Sequence, residues 1–505
     1  MVADSKECPH GRATLVIEVI AIGRLGGCPR NHGDRNGSFL AGNGLHWNGF
    51  LSGLRKVSTL PSQLHLNVFI TGAGHHEASW RLPGTAPERV DDVHYFREIA
   101  QTAERGKFDS IFFADVPAVG RHYDRVAQSS FEPLTLLSAL ALATERIGLI
   151  GTVSTTYTEP CNLARQFASL DHISRGRAGW NIVTSWSSAA AYNFGVDGRP
   201  GHSERYARAA EFLDVATALW DSWEDDAVVL DRDAGVYADA SRVHRIDHAG
   251  THFRVRGPLD AARSPQGRPV LVQAGSSADG RAFAARYAEA IFTAQVDLDD
   301  ARVFYRDVKR QAAEFGRDPE AVKILPGLSP IVASTEAEAR RIEQDLADLS
   351  IPEVGLAHLS ARFDDVDLSG FPLDGPVPLH ALPRPEDVQG AQSRSRIIFD
   401  LVEREPGLTL RELLHRLAGA RGHGTVVGTP EHVADRIVAW FEAGAADGFN
   451  IMPPYLPGSF EVFVDEVVPI LQRRGVFRAE YEGTTLRDHY GLSRPAGLFS
   501  QVPVS

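Results

Sequence analysis

The feature that most constrains this chain is a regular alternation of short apolar segments and amphipathic segments, which begins at Leu64. In 91–109, for example, apolar residues recur every three or four positions at Val93, Phe96, Ile99 and Ala103, as on one face of a helix. Eight apolar segments are predicted as strands, and they start near residues 64, 109, 147, 177, 268, 289, 322 and 449.

Helices are predicted between nearly all of these strands. Apolar strands that alternate with helices indicate a parallel sheet covered on both faces. Eight such units with a closing helix over 460–472 predict an α/β fold, a (β/α)₈ TIM barrel. A doubly wound open sheet is the structural alternative.

Two insertions interrupt the alternation, one after strand 4 and one after strand 7. Residues 224–267 are rich in Asp and Arg and contain strand-like pieces such as THFRVRG. Residues 350–428 are rich in proline, and one helix is predicted around 392–404. Insertions of this kind commonly carry substrate specificity.

Residues 1–62 differ from the rest of the chain because they show no sustained helical period. We expect an atypical extension that is disordered or that precedes the true start, with translation beginning near Val57. The barrel is expected over 63–495 and a C-terminal tail over 496–505. Detection of residues 1–56 by N-terminal sequencing of the native protein would contradict the late start.

Composition excludes several classes of protein. Lys and Arg number 52 against 65 Asp and Glu, a formal net charge of −13, so the overall basic character of a nucleic-acid or anionic-membrane binder is missing. The three cysteines, Cys8, Cys28 and Cys161, cannot build a disulfide framework, which favours a reducing cytoplasm. No apolar run reaches the ~18 residues of a membrane span.

The most informative short motif is QAGSSADG, where a predicted strand ends at Gly275 and a helix follows. The hydroxyls of Ser276 and Ser277, with the backbone N–H groups of a helix start, form a good phosphate site. A plain helix cap is the alternative. His202 and Tyr206 in GHSERY lie one turn apart on one helix face; a buried tyrosine beside a surface histidine is the structural alternative.

Other strand ends carry small polar groups instead of a carboxylate and histidine cluster. Asp115 in FFAD can accept a hydrogen bond from a ligand N–H, or it can cap a turn. Thr152 can contact the edge of a ligand ring, or it can occur there only because threonine favours strands. His75 and His76 are adjacent, which suits a proton donor or substrate contact better than a metal site, and no metal is predicted. The motifs GxGxxG, GxxxxGK[ST] and GxSxG are absent.

Together, these motifs resemble the bacterial-luciferase-like flavin monooxygenases over roughly 85% of the chain. The similarity is greatest to the branch of nitrilotriacetate monooxygenase component A, EDTA monooxygenase, dibenzothiophene-sulfone monooxygenase and the pristinamycin synthase large subunit. The stretches that carry it include GHHEASWR, GKFDSIFFAD, STTYTEP, LARQFASLDHISRGRAGWNIVTS, GHSERYARAAEF, QAGSSADGR, GTPEHVADRI, DGFNIMPP and LQRRGVFRAEYEGTTLRDHYGL.

The resemblance implies a barrel that binds reduced FMN from a separate NAD(P)H:flavin reductase. The reduced flavin reacts with molecular oxygen to give a flavin hydroperoxide, which oxygenates a small, N- or S-containing and often xenobiotic substrate. A homodimer or homotetramer is also implied. Because the cofactor carries the oxygen chemistry, the protein needs no nucleophile or metal.

The resemblance also assigns roles to residues of this chain. Asp115 and Thr152 would contact the isoalloxazine ring, and His202, Tyr206 and Ser276 would bind the phosphate end. Ser277 and Asn181 are further cofactor candidates, and His75 or His76 would donate a proton or orient the substrate.

The chain departs from the family at Cys161, where a tyrosine is usual after STTYTEP. Substrate identity is open for this reason. Two other functions remain: a deazaflavin-dependent oxidoreductase of the same superfamily, and a flavin-binding relative without catalysis. A metal-dependent barrel hydrolase is a further alternative, although its strand-end ligands are missing.

Overall fold

A computed structural model describes residues 63–120, 122–127, 131–185, 187–196, 201–388 and 392–500. The expectations for residues 1–62, including Cys8, Cys28 and the start near Val57, lie outside these ranges.

Nine strands of this part of the chain form one parallel sheet. They are β1 His65–Ile70, β2 Ser110–Phe113, β3 Gly148–Ser154, β4 Ala178–Val183, β5 Val270–Ala274, β6 Ala290–Thr293, β7 Lys323–Val332, β8 Gly424–Gly428 and β9 Gly448–Ile451.

Eight of these strands close into a ring in the order β6, β5, β4, β3, β2, β1, β9, β7, with β6 pairing to β7. The predicted (β/α)₈ barrel is confirmed, and the open-sheet alternative is wrong. The ninth strand, β8, pairs with the C-terminal half of β7, Val332 lying opposite Gly428.

Most of the helices cover the outside of the ring. In the described ranges they are α1 Val93–Arg105, α2 Pro133–Ala143, α3 Pro160–Ile173, α4 Ser188–Asn193, α5 His202–Trp220, α6 Ala278–Tyr287, α7 Leu298–Glu314, α8 Glu336–Asp348, α9 Pro352–Arg362, α10 Gln392–Arg404, α11 Leu410–Ala420, α12 Pro430–Glu442, α13 Gly458–Val462, α14 Val468–Arg473 and α15 Leu486–His489. A π-helical turn, Phe463–Val467, joins α13 to α14. None of these described helices is both long and apolar enough to cross a membrane.

The predicted elements agree with the observed ones to within a few residues, because the signals at their ends are local. Asp297 begins α7 by accepting hydrogen bonds from the N–H groups of Asp299 and Asp300. Thr409 and Glu412 form a capping box at the start of α11. The strands are buried on both faces, which explains their continuous apolar character.

The first insertion contains two short hairpins, as the strand-like pieces predicted. One pairs Val228–Asp231 with Val236–Ala238, and the other pairs His248–Ala249 with Arg254–Val255.

The helix predicted around 392–404 is confirmed as α10. Residues 350–428 also contain α9, α11 and β8, which the sequence did not predict. The three helices share their own apolar cluster, in which Leu359, Ile398 and Leu413 are almost fully buried. The proline-rich stretch between α9 and α10 indicated a loop, so the sequence did not predict this small subdomain. Proline in that stretch limits where the helices end, but helices still form on both sides of it.

The C-terminal segment closes the N-terminal end of the barrel. Leu486 of α15 lies so close to β3 and β4 that a Cβ on Gly148 would come within 2.3 Å of its Cδ1 and one on Gly179 within 3.1 Å of its Cδ2. Tyr490 donates to Asn67 Oδ1 at 2.8 Å inside the same end. Ligands must therefore approach from the C-terminal ends of the strands.

Candidate active site

Three phenylalanines fill the barrel just below its open end. Phe69, Phe112 and Phe292 each occupy the penultimate position of a strand, and the Phe69 centroid lies 4.7 Å from Phe112 and 5.5 Å from Phe292. His75 packs edge-on against Phe69 at 4.4 Å, and His423 stacks on Phe292 at 4.7 Å. This aromatic layer forms a dry floor for the loops that follow the strands.

Thr152, a predicted ring contact, and Asn181, a further cofactor candidate, are neighbours in the strand register. The Thr152 hydroxyl donates to the Phe113 carbonyl oxygen at 2.9 Å and accepts from Asn181 Nδ2 at 2.8 Å. Asn181 Oδ1 is buried and has no hydrogen-bond partner among the described residues. Because an unpaired buried acceptor is costly, this oxygen suits a ligand N–H.

The four predicted phosphate contacts also converge, around the start of α6. Ser277 caps that helix, accepting from the Gly280 N–H at 3.1 Å. The Tyr206 hydroxyl is within reach of the Ser277 hydroxyl, and the Ser276 hydroxyl lies 2.9 Å from Thr293 Oγ1. His202 Nδ1 lies 3.0 Å from Asp279 Oδ2.

A glycine keeps this group of hydroxyls open. A Cβ on Gly280 would lie 3.0 Å from Ser277 Oγ and 3.1 Å from the Tyr206 hydroxyl oxygen. We call Ser276, Ser277, Gly280 and Tyr206 the hydroxyl cradle. It combines hydroxyl donors with the free N–H groups at the start of a helix, a good arrangement for a phosphate.

Asp115 follows β2 and is half-buried. Burial, and then the neighbouring charge of Glu132, raises the pKa of the Asp115 carboxyl. Glu132 is itself held in place as the cap of α2, where it accepts from two backbone N–H groups. A carboxyl with a raised pKa is more readily protonated, so Asp115 is suited to exchanging a proton or hydrogen bond with a ligand.

His75 and His76 lie in the loop after β1 and are buried. His75 Nε2 lies 2.9 Å from the Phe69 carbonyl oxygen, so it carries the proton, and Nδ1 is a buried acceptor without a partner among the described residues. Burial, with a contribution from the charge of Arg421, lowers the pKa of His75 to about 3. Burial likewise lowers the pKa of His76 to about 4.

The sequence interpretation missed a group of residues that the second insertion brings to the same end of the barrel. They are Arg362, Arg394, Arg421 and His423. The one available signal was the polar run ARGHG at 420–424, between an apolar helix and a strand. Cys161 is exposed near the start of α3. The described residues contain no group of three or more His, Cys, Asp or Glu that could hold a metal ion.

Residues 69–447 match the model of the luciferase-like monooxygenase family. The chain belongs to this family. It is 51% identical over 446 residues to N-acetyl-S-(2-succino)cysteine monooxygenase of Bacillus subtilis (strain 168), covering 88% of this chain and 100% of the relative. It is 49% identical to nitrilotriacetate monooxygenase component A of Aminobacter aminovorans, covering 86% of this chain and 97% of the relative.

This luciferase-like monooxygenase also resembles a solved structure of riboflavin lyase with modified FMN and the substrate riboflavin. The TM-score is 0.76 at 34% identity, over 86% of this chain and 97% of the other. These relatives support a flavin cofactor. The free Asn181 Oδ1 and the hydroxyl cradle of this chain fit a group with a polar ring at one end and a phosphate at the other.

Proposed function

We propose that this protein is a two-component monooxygenase that uses reduced FMN and molecular oxygen to oxygenate a small organic substrate. Two observations carry the proposal. Ser277 and Tyr206 form a cradle suited to a phosphate, and Asn181 Oδ1 in the same barrel is a buried acceptor without a partner among the described residues. When bound, the reduced flavin supplies the electrons that activate oxygen.

The protein's part is to bind, orient and exclude water. The N-terminus of α6, with Ser276, Ser277 and Tyr206, would hold the phosphate, and His202 would flank it. Asn181 Oδ1 would accept from an N–H of the ring, and its amide is held in place by Thr152. The phenylalanine layer keeps the reacting atoms dry, which strengthens each polar contact there.

Asp115 and the two buried histidines are assigned different tasks. Asp115, with its raised pKa, is proposed to exchange a proton or hydrogen bond at the ring edge. His75 and His76 have lowered pKa values and are neutral at neutral pH. Neither is therefore the protonated imidazolium that would act as a general acid. We therefore propose that they orient the substrate, with His75 Nδ1 as an acceptor.

A separate NAD(P)H:flavin reductase is proposed as the source of reduced FMN, and the assembly as a homodimer or homotetramer. Two of the relatives are named after compounds: nitrilotriacetate is an amine, and N-acetyl-S-(2-succino)cysteine is a thioether. An N- or S-containing substrate is proposed on that basis.

Rapid mixing tests the proposal. Protein with anaerobically reduced FMN is mixed with oxygenated buffer, and the return of oxidised flavin absorbance is followed. We expect oxidised flavin to appear much later than with free FMN. Binding without delay would favour a non-catalytic flavin binder, and reduction of a deazaflavin without oxygen uptake would favour the oxidoreductase alternative.

Two variants test the cradle in the same assay. Tyr206→Phe removes one hydroxyl at the cradle and should weaken FMN binding by roughly tenfold, as expected for one hydrogen bond to a charged group. Tyr237→Phe is the matched control because Tyr237 is 66% exposed in a hairpin of the first insertion. Equal FMN affinities in both variants would refute the assignment of the cradle.

A further inference from the structure

Three arginines of the second insertion meet at the open end of the barrel. Arg362 ends α9, Arg394 lies in the first turn of α10, and Arg421 follows α11 with a left-handed backbone φ of 52°. We call these three residues the arginine cluster. Although they come from different helices, they lie close together: burial and then the charge of Arg421 lower the pKa of Arg362, and burial and then the charges of Arg362 and Arg421 lower that of Arg394.

The cluster has few partners for its charge. Arg394 Nη1 lies 3.3 Å from the Arg421 carbonyl oxygen, and its Nη2 donates to His423 Nε2 at 2.5 Å. Arg362 Nη1 is buried and has no hydrogen-bond partner among the described residues. None of the three makes an ion pair to a described carboxylate.

One nearby carboxylate, Glu77, does not neutralise the cluster. Its Oε2 lies 3.2 Å from His358 Nδ1, so part of its hydrogen-bonding capacity is already used. Glu77 is the carboxylate that acts on both Arg362 and Arg421, so positive charge is in excess in the cluster. Burial, and then repulsion from Arg362 and Arg421, lowers the pKa of Arg394 to about 9.

Three buried histidines around the cluster, His423, His75 and His76, do not add to its charge. Burial, and then the charge of Arg394, lowers the pKa of His423 well below its usual value, and His75 and His76 are neutral as well. Arg362 and Arg394 are partly buried and Arg421 is exposed. Arginines that lie together with little water around them are normally paired, because an unpaired charge away from water is costly. The excess of positive charge in the cluster therefore indicates a missing anion.

The cluster is reached from solvent, because Arg421 is exposed and Arg362 and Arg394 are only partly buried. Arg362 and Arg421 also line one small pocket together with Glu77, His358 and residues of α9 and α11. This pocket is little larger than a water molecule, so a larger anion would contact the cluster from its exposed side.

The cluster extends from the β1 side of the open end, where Glu77 and His75 lie, towards the hydroxyl cradle. On the cradle side, His423 contacts the backbone of Thr293, whose hydroxyl lies 2.9 Å from that of Ser276. His423 links the cluster to the barrel interior, since it stacks on Phe292 of the aromatic layer. An anion on the arginines would thus hold the rest of its molecule over the floor of the active site.

We propose that Arg362, Arg394 and Arg421 bind the carboxylate groups of the substrate, which is a small organic molecule with two or three carboxylates. This inference rests on the proposed monooxygenase function. Planar guanidinium groups match carboxylates in two parallel hydrogen bonds, and three of them on separate helices suit several separate anionic groups.

Direct binding tests the inference without any turnover. Nitrilotriacetate, citrate and succinate are titrated by calorimetry into the full-length protein in metal-free buffer, with and without FMN. The neutral triamide of nitrilotriacetate and inorganic phosphate are the comparison probes. We expect at least one tricarboxylate to bind, to weaken with added salt, and to bind far more tightly than the triamide.

Variants connect that binding to the cluster. Arg362→Gln and Arg421→Gln should each weaken tricarboxylate binding at least tenfold, and Arg421→Lys should give an intermediate loss because it keeps the charge without the paired geometry. Arg411→Gln is the matched control, because Arg411 lies in the same insertion, is exposed and pairs with Asp374 at 2.7 Å. Thermal unfolding without ligand should be unchanged or raised in the Gln variants, since like charges are removed.

Each other outcome overturns the inference. These outcomes are no binding by any of the three carboxylates, equal binding by the Gln variants and the Arg411→Gln control, or binding of inorganic phosphate as tight as that of every carboxylate. The reoxidation of reduced FMN is measured on the same samples. If carboxylates bind but the protein does not delay reoxidation, the monooxygenase proposal fails while the anion site stands.

Discussion

The substitution Gly280→Ala is expected to weaken FMN binding without lowering the stability of the protein. Gly280 is the third residue of α6, and a Cβ at this position would lie close to the hydroxyls of both Ser277 and Tyr206. Alanine is the better helix former by about 0.5–1 kcal/mol, so helix propensity alone predicts a more stable protein. The added methyl group nevertheless occupies space in the hydroxyl cradle.

The magnitude follows from two distances. The new Cβ would lie 3.0 Å from Ser277 Oγ and 3.1 Å from the Tyr206 oxygen, so both hydroxyls must move by a few tenths of an ångström. A hydrogen bond to a charged phosphate contributes about 1.5–3 kcal/mol. Losing one such bond corresponds to a rise of roughly 10- to 100-fold in the Kd for FMN.

Flavin fluorescence titration measures the Kd, and thermal unfolding without FMN measures stability. We expect weaker FMN binding at an equal or higher Tm. Gly355→Ala in α9 is the control, because its Cβ would meet Leu414 Cβ at an ordinary 3.4 Å, and its FMN affinity should not change. Unchanged FMN binding by Gly280→Ala would refute the cradle as the phosphate site.

Three further predictions concern the two ends of the barrel. Asp109→Asn should destabilise the protein by about 3–5 kcal/mol in denaturant titration, because Arg478, whose Nη2 lies 2.6 Å from Asp109 Oδ1, loses its buried partner; the exposed Asp374→Asn should cost under about 1 kcal/mol. Burial alone would raise the pKa of Asp109, but the charge of Arg478 lowers it to about 2. The ionised Asp109 therefore stabilises the folded protein by roughly 2 kcal/mol above pH 4, and this stabilisation is lost as the pH falls towards 2. A flat stability profile between pH 5 and 2 would contradict that reasoning. Asn181→Leu should weaken FMN binding at least tenfold, since it removes the unpaired acceptor and the donor to Thr152; wild-type affinity would show that Oδ1 does not face the ring.

The barrel could be predicted from the sequence because its signals are local and repeated. Each strand is a short apolar run, and each helix carries its own periodicity and its own caps, such as Asp297 at α7. Parallel topology then places all C-terminal strand ends at one edge. This is why Ser277 and Tyr206, which are 71 positions apart in the sequence, could be expected in one site and are adjacent in the structure.

The second insertion shows where this reasoning stops. Its three helices are short and proline-bounded, and their apolar residues make a core only with one another. The arginine cluster exists because the ends of α9 and α11 and the first turn of α10 meet, a contact that no local pattern encodes. Composition was equally uninformative, since a net charge of −13 conceals a local excess of positive charge.

The sequence by itself determined the order of the eight barrel strands, their parallel alternation with helices and the end at which a ligand must enter. Only the tertiary structure decided the protonation of the site, because His75 is neutral through burial and the nearby Arg421, not through its neighbours in sequence. The same holds for Asp109 and Arg478, which pair across 369 positions. Desolvation and Coulomb interactions depend on distance in space, and packing alone sets that distance.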